Sequence, residues 1–350
     1  MALGQIRVAA FNAALSPARD VAHLDAVATI IRANAPDVLL LNEVDHNHPE
    51  DPLGELQSRL IGVDGTPAYA HVFVAPVNTG RPSGFDLDGD GNTRGPADAW
   101  GYGAYPGQYG MAVLSKFPID TDAARTFRTL KWRDRPGHRM PEGFFPPAAE
   151  AGFPLSSKSH WDVPIRVGGH TLHLLASHPT PPVFDGPEDR NGRRNADEIG
   201  FWVEYLAPAH DRWIIDDAGH RGGLAPGALC VVAGDLNNDP DEGDGDRAAI
   251  TALLNHPRLA DPSPRSAGAA AAGLDADDTA RWGKRVDYVL PCRELALVDS
   301  GVYWPAPGPP GADEATTASD HRLVWVDVTL PPLSTDTSGA GPAPAPRADR

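Results

Sequence analysis

Apolar positions along this chain follow two periods. Runs such as IRVAAFNA, DVLLLNEV, MAVLSKFPI, VPIRVGG, TLHLLASH, ALCVVAGDLN, RVDYVLP and RLVWVDVTL are rich in Val, Leu and Ile and bounded by turn-forming residues, which predicts strands. Between them the helical period recurs. Residues 20–33 set Val21, Leu24, Val27, Ile30 and Ile31 on one face, and residues 197–206 do the same with Ile199, Trp202, Val203 and Leu206. A third helix is expected after Asp246, with Ile250, Leu253 and Leu254 facing inward. Strands and helices therefore interleave. Residues 77–107 and 264–279 show neither period and predict long irregular loops, which in a compact domain are functional or disordered. The pattern gives one domain over residues 1–332 and a disordered Pro/Ala-rich tail over 333–350, where almost nothing can be buried.

Composition narrows the class. The 350 residues include 36 Gly and 36 Pro, a usage that favours short strands joined by long turns over a helical bundle. The 47 acidic residues against 30 basic ones leave a net charge of −17, which disfavours avid nucleic-acid or anionic-membrane binding. Two cysteines, Cys230 and Cys292, exclude a disulfide framework and lack the spacing of a structural zinc site. No run of eighteen apolar residues is present, so no transmembrane segment is expected. The first strand begins almost at Met1, leaving no room for a signal peptide: either the protein stays in the cytoplasm or an export signal is missing from this chain.

Polar residues collect where the apolar strands run out. Asn12 follows VAAF, Glu43 follows VLLLN, His178 follows LLAS, Asp235 and Asn237 follow VVAG, Asp287 interrupts RVDYVL, and Asp320 and His321 precede RLVWVDV. Singly, each has an ordinary structural explanation. Together they match the needs of phosphate-ester hydrolysis: a hard cation on carboxylate oxygens, a group that orients water, and donors for the non-bridging oxygens. Glu43 and Asp320 suit the metal, Asp235 the water, and Asn12, Asn237, His178 and His321 the phosphoryl group. In an extended chain, positions i and i+2 share a face, so Asp235 and Asn237 are expected to address one phosphoryl group together.

The ordered series FNA, LNEV, YGMAVLSK, LLASHP, GDLNNDP, RVDYVL and SDHRLVWV resembles the endonuclease/exonuclease/phosphatase superfamily over residues 5–330. The resemblance implies a four-layer α/β sandwich, two packed mixed β-sheets flanked by helices, with a divalent-metal site (Mg²⁺, or Mn²⁺ or Ca²⁺) at one end. Carried over by motif, Glu43 would bind the metal, assisted by Asn12 and Asp320. Asp235 would orient the water, Asn237 the phosphate, and His178 and His321 would contact scissile oxygens, with Asp287 orienting His321. Some deoxyribonucleases support the first histidine with a glutamate; Gln108 or Tyr109 stands there in this chain, and Tyr109 is counted among the substrate contacts.

Other features are particular to this chain. DLDGDGNTRGPAD places Asp86, Asp88 and Asp90 at positions one, three and five of a calcium-loop pattern with Gly91 at six, but Ala97 at twelve and Asp98 one later. A structural Ca²⁺ site on Asp86, Asp88 and Asp90 is expected, and with the resemblance it favours an exported protein. The run 239–246 reads as a solvated turn with Asp246 capping a helix. Beside His178, Arg193 and Asn195 open a helix and are expected to reach substrate. Lys158 and His160, sharing a strand face, are expected to look into the cleft. A monomer acting on a phosphate ester is the leading expectation. The alternatives are a sequence-nonspecific nuclease of the same fold and a non-catalytic calcium-binding interaction module. Charge weighs against the first and the water-orienting Asp235 against the second.

Overall fold

A computed structural model describes residues 4–17, 19–46, 48–207 and 212–333. Of the predicted tail, all but Leu333 lies outside the described residues. The chain opens with strand β1 (Ile6–Leu15), helix α1 (Val21–Asn34) and strand β2 (Val38–Val44). Asp20 caps α1 by accepting from the His23 amide, and the helix ends at Ala35 in the left-handed region. Then follow α2 (Pro52–Arg59), β3 (His71–Phe73), β4 (Gly110–Ser115), β5 (Arg125–Thr126) and α3 (Pro147–Glu150). The second half comprises β6 (His160–Val167), β7 (His170–Ser177), α4 (Arg190–Tyr205), β8 (Leu229–Asp235), α5 (Arg247–Leu254), α6 (Ala267–Ala271), β9 (Asp287–Pro291), β10 (Ala296–Val302), α7 (Ala312–Ala318) and β11 (Val324–Thr329).

Two mixed sheets result. One has the order β10-β11-β1-β2-β4-β3 and the other β5-β6-β7-β8-β9. Pairing is parallel between β1 and β2 and between β7 and β8, and antiparallel elsewhere. Inner-face residues Val8, Ala10, Leu40 and Val113 of the first sheet share one core with Val163, Leu174, Val231 and Val289 of the second. The outer face of the first sheet (Ala9, Phe11, Leu39, Leu41) packs on Leu24, Val27 and Ile31 of α1. Ile199 and Trp202 of α4 and Ile250 of α5 join the core from the second sheet's side. Central strands covered on both faces carry continuous apolar runs, which is why VLLL does not alternate.

The departures from the sequence pattern have physical reasons. Helix α4 begins at Arg190, seven residues before the predicted start, because its first turns bury Arg194, Asn195, Asp197 and Glu198, polar residues without an apolar signature. The 264–279 segment contains α6, capped by Ser266. Asp239, in the run expected to be solvated, is buried and accepts hydrogen bonds from the amides of Asp241, Glu242 and Arg285. Asp246 does cap α5, through the Ala248 amide. Among the described residues, no helix is long and apolar enough to cross a membrane.

Candidate active site

The C-terminal ends of β1, β2, β7 and β8 lie at one edge of the packed sheets, and each delivers a polar residue there. The delivery is irregular. In β2 the pairing to β4 shifts register between Asn42 and Val44, and Glu43 adopts φ 56°; β1 has a matching irregularity between Asn12 and Leu15, with Ala14 at φ 45°. These bulges turn side chains out of the strict alternation. Gly234 of β8, at φ 145°, lies so close to β7 that a Cβ there would sit 2.0 Å from the Ser177 carbonyl oxygen. The glycine lets Asp235 and His178 approach.

Asp235 is the focus. Its buried Oδ2 accepts from Asn12 Nδ2 at 3.0 Å and lies 3.4 Å from His178 Nε2 and 3.6 Å from His321 Nε2. The two imidazole separations exceed ordinary hydrogen bonds, so each ring nitrogen retains capacity for a third group. Asn12 Nδ2 also donates to Glu43 Oε1 at 3.0 Å, linking the water and metal candidates through one amide. His321 Nδ1 lies 2.9 Å from Asp287 Oδ2, which accepts from Thr279 Oγ1 at 2.8 Å as well.

The electrostatics separate the two histidines. Burial alone would lower His321, but the Asp287 and Asp235 carboxylates outweigh it and hold the imidazole up at about 10, as a cation. Burial lowers His178, the nearby Lys158 adds to this, and Asp235 only partly opposes them, so His178 is neutral at neutral pH. Burial also works to raise Asp235, yet His321, His178 and Asn12 together hold it well below the usual carboxylate range. Burial raises Asp287 to about 6 against the pull of His321. His178 Nδ1 is buried without a partner among the described residues; Gln108 Oε1 accepts from the Ala104 amide, and the Tyr109 amide donates to Asp45.

Beside this cluster opens a cavity of about 520 Å³ with Glu43, His178, Lys158 and Tyr109 at one end. Its walls come from the loops 77–107 and 132–153 and from the start of α4. Of the residues expected to hold a cation, Glu43 is half-buried with one hydrogen bond at Oε1, Asn12 keeps Oδ1 toward the Ala14 amide while its Nδ2 donates to Glu43 and Asp235, and Asp320 is half-buried. Magnesium keeps several waters and takes one or two carboxylates, so this sparse set fits it. Asp235, Asp287 and His321 also lie within reach of one ion, but the His321 nitrogen facing Asp287 is already engaged and the ring is cationic, which suits a hydrogen-bonded relay and not a ligand set.

The Endonuclease/Exonuclease/phosphatase family matches residues 9–321, nearly the whole described chain. The chain belongs to that family. Its fold is thus that of a hydrolase family acting on phosphate esters. An endonuclease/exonuclease/phosphatase from Beutenbergia cavernae DSM 12333 is similar at a TM-score of 0.58 and 20% identity, over 93% of this chain and 72% of that one. The human Nocturnin catalytic domain with bound sulfate anion gives 0.53 and 16%, over 93% and 95%. A family protein from Leptotrichia buccalis C-1013-b gives 0.50 and 15%, over 92% and 99%. At these identities the likeness shows the fold alone. No curated protein matches the chain significantly.

Several expected contacts are placed differently by the structure. Asn237 has φ 53°, so the i, i+2 argument fails at that residue: its amide N donates to Asp235 Oδ1 and its side chain to the Pro179 carbonyl, beside His178. Arg193 is exposed on α4, whereas Arg194 borders the cavity. Asn195 is buried and joins the Thr180 and Leu236 carbonyls, a bracing position behind the site. Lys158 lines the cavity, but His160 does not. Strand β6 starts only at His160, so no strand alternation relates the two; the His160 ring lies between Ser156 and the Glu198 carbonyl, against Phe201 and Trp202. In the acidic loop, Asp86 and Asp88 are joined by Asp98 and not by Asp90.

Sequence reasoning missed Asn42. Fully buried between the sheets, it accepts from the Asp235 amide at 3.1 Å and donates to the Ser177 carbonyl at 3.4 Å, locking β8 and β7 to the strand of Glu43. A polar residue inside an otherwise apolar strand was the available signal. Ser319, which donates to the Asn12 carbonyl and accepts from the His321 amide, carried none.

Proposed function

We propose that this protein hydrolyses phosphate esters with the help of a divalent metal, Mg²⁺ or a similar hard cation, held by Glu43 with Asn12 and Asp320. The observation that carries this reading is the convergence of Asn12, His178 and His321 on one buried Asp235 carboxylate at the end of a cavity bordered by Glu43 and Lys158. When bound, the cation neutralises charge on the phosphoryl oxygens. Asp235, kept low in basicity by its donors, orients a water by accepting its hydrogen bond and does not remove its proton outright. His321, positioned by Asp287, presents a charged N–H to an oxygen of the phosphoryl group, and neutral His178 presents a second donor. Asn237, on the turn after Asp235, is the remaining amide for a non-bridging oxygen. Lys158 borders the same site without an ion pair among the described residues: burial lowers its pKa, the fields of Glu198, Glu43 and Asp235 oppose this, and a phosphoryl group held beside it favours its charged form. Tyr109 flanks Glu43 in the cavity wall.

The test is a panel of 4-nitrophenyl phosphate, bis(4-nitrophenyl) phosphate and plasmid DNA with Mg²⁺, Mn²⁺, Ca²⁺ and chelator. Turnover with metal, abolished by chelator and by Glu43→Gln, is the expected result. Full activity of Glu43→Gln in chelator would remove the metal from the mechanism.

The acidic loop is proposed as a calcium site with Asp98 in place of Asp90, since Asp86, Asp88 and Asp98 bring three carboxylates within reach of one ion. A ligand bound only by the folded state raises stability by mass action, so Tm should rise in calcium. Equal Tm in calcium and in chelator would dismiss the site.

A further inference from the structure

The cavity is built from segments that the two sheets do not require. Leu87, Ala97 and Ala99 come from the loop after β3, and Trp132, Phe145 and Phe153 from the segment between β5 and β6. The wall is rigid. Phe153 packs against Trp100, Trp132 and Phe145 at centroid separations of 5.3, 5.8 and 4.6 Å, and Trp132 Nε1 donates to buried Asp197 at 2.6 Å. Asp98, also buried, accepts from the Leu87 amide at 2.9 Å and the Gly95 amide at 2.8 Å, which holds the first loop in place. Apolar side chains this well packed line the space next to the phosphoryl-handling residues, while Phe184 is 88% exposed at its border.

The cations around the cavity decide what can occupy it. Three line it: Lys158, Arg190 and Arg194. Arg194 spends its guanidinium on the Leu155, Trp100 and Pro154 carbonyls, and Arg190 is ion-paired to Glu188 and lies over the Phe144 ring. Of the three, only the Lys158 side chain has no ion pair or hydrogen bond among the described residues, and it lies in the fields of Glu43 and His178, which line the same cavity. The cavity therefore provides for one phosphoryl group there and offers no second anion site along its length. A polynucleotide, or an ester bearing further phosphates, would place uncompensated charge against Leu87, Phe145 and Phe153.

We propose that the preferred substrate carries one phosphoryl group esterified to an apolar, ring-sized organic group, which enters the cavity between Leu87, Ala97, Trp132 and Phe153 while the phosphoryl group meets Lys158, His178 and Glu43. This rests on the phosphoesterase reading above and specifies the substrate class of the same site. A cavity of this size is within the ordinary range for small-molecule sites.

The experiment compares the full-length protein's affinity for methylphosphonate and for 2-naphthylmethylphosphonate by calorimetry in Mg²⁺, alongside turnover of the two nitrophenyl esters. The naphthyl compound is expected to bind on the order of tenfold tighter or better, the discrimination an apolar pocket provides. Ala97→Trp, which fills the cavity from a half-buried wall position, should bring the ratio towards one. Should that variant misfold, Phe153→Ala, which strips a face of the wall, must lower the same ratio. Equal affinities for the two phosphonates, tighter binding of a thymidine dinucleotide, or an unchanged ratio in both variants overturns the proposal even if the esters are turned over. Naphthyl preference without turnover of either ester would retain the pocket and reject the hydrolase reading.

Discussion

At the scale of single residues, the site depends on how burial and neighbouring charge divide similar groups. His178 and His321 face the same carboxylate, but only His321 has a second carboxylate behind it, so one ring is neutral and the other cationic. Asp235→Asn keeps the shape and removes the anion on which both converge; a severe loss of kcat with unchanged folding is expected from steady-state kinetics and circular dichroism. Asn237→Ala should cost less, on the order of 3 kcal/mol in transition-state stabilisation, the size of one well-placed donor. A near wild-type rate for folded Asp235→Asn would sink the proposed mechanism. A second prediction concerns His160, which burial lowers to about 4 although Glu198 opposes this. Its folded pKa is below the unfolded value, so its stabilising contribution is complete above about pH 6.5 and is lost as pH falls towards 4. Urea denaturation should show stability declining over that window, by about 3 kcal/mol from this residue. His160→Gln should flatten part of the decline, and an identical slope in the variant would assign it to other groups.

At the scale of elements, strand ends and not strand interiors build the site. The predicted strands in β1, β2, β4, β6, β7, β8, β9 and β11 are present because Val- and Leu-rich runs become buried between sheets and helices. The short β3 and β5 and the exposed edge strand β10 escaped prediction, since two- and three-residue pairings and the non-alternating, exposed run before Val302 leave little pattern. The bulges at Asn12 and Glu43 and the left-handed Asn237 were equally invisible, because they are imposed by pairing partners. Asn42→Leu tests how tightly the sheets must be joined. It strands the Asp235 amide and the Ser177 carbonyl, so a loss of about 1–3 kcal/mol in urea denaturation is expected, with a lower kcat at unchanged metal dependence. Stability loss without any change in kcat would show that the link braces the fold and not the site. Gly234→Ala should be worse, since its methyl would collide with the Ser177 carbonyl oxygen and force β7 and β8 apart.

At the scale of the whole molecule, charge bears on the proposed substrate. With a net charge of −17 and two of the three cavity cations already committed, a polyanion has little to hold. Single-stranded DNA is therefore expected not to inhibit ester hydrolysis at physiological salt; competitive inhibition that weakens steeply with salt would reinstate the nuclease alternative. The sequence by itself determined the class of fold and the residues to look for: the apolar runs set the strands, and Asn12, Glu43, His178, Asp235, Asp287 and His321 could be named because each ends or interrupts such a run. Tertiary structure alone decided which of them meet, because they come from strands separated by up to 309 positions, as Asn12 and His321 are, and proximity follows from sheet order and not from sequence spacing. It also decided that Arg194 borders the cavity while Arg193 faces solvent, that His160 is core, and that Asp98 lies beside Asp86 and Asp88. Each outcome depends on a helix start, a strand start or a loop closure set by distant packing partners.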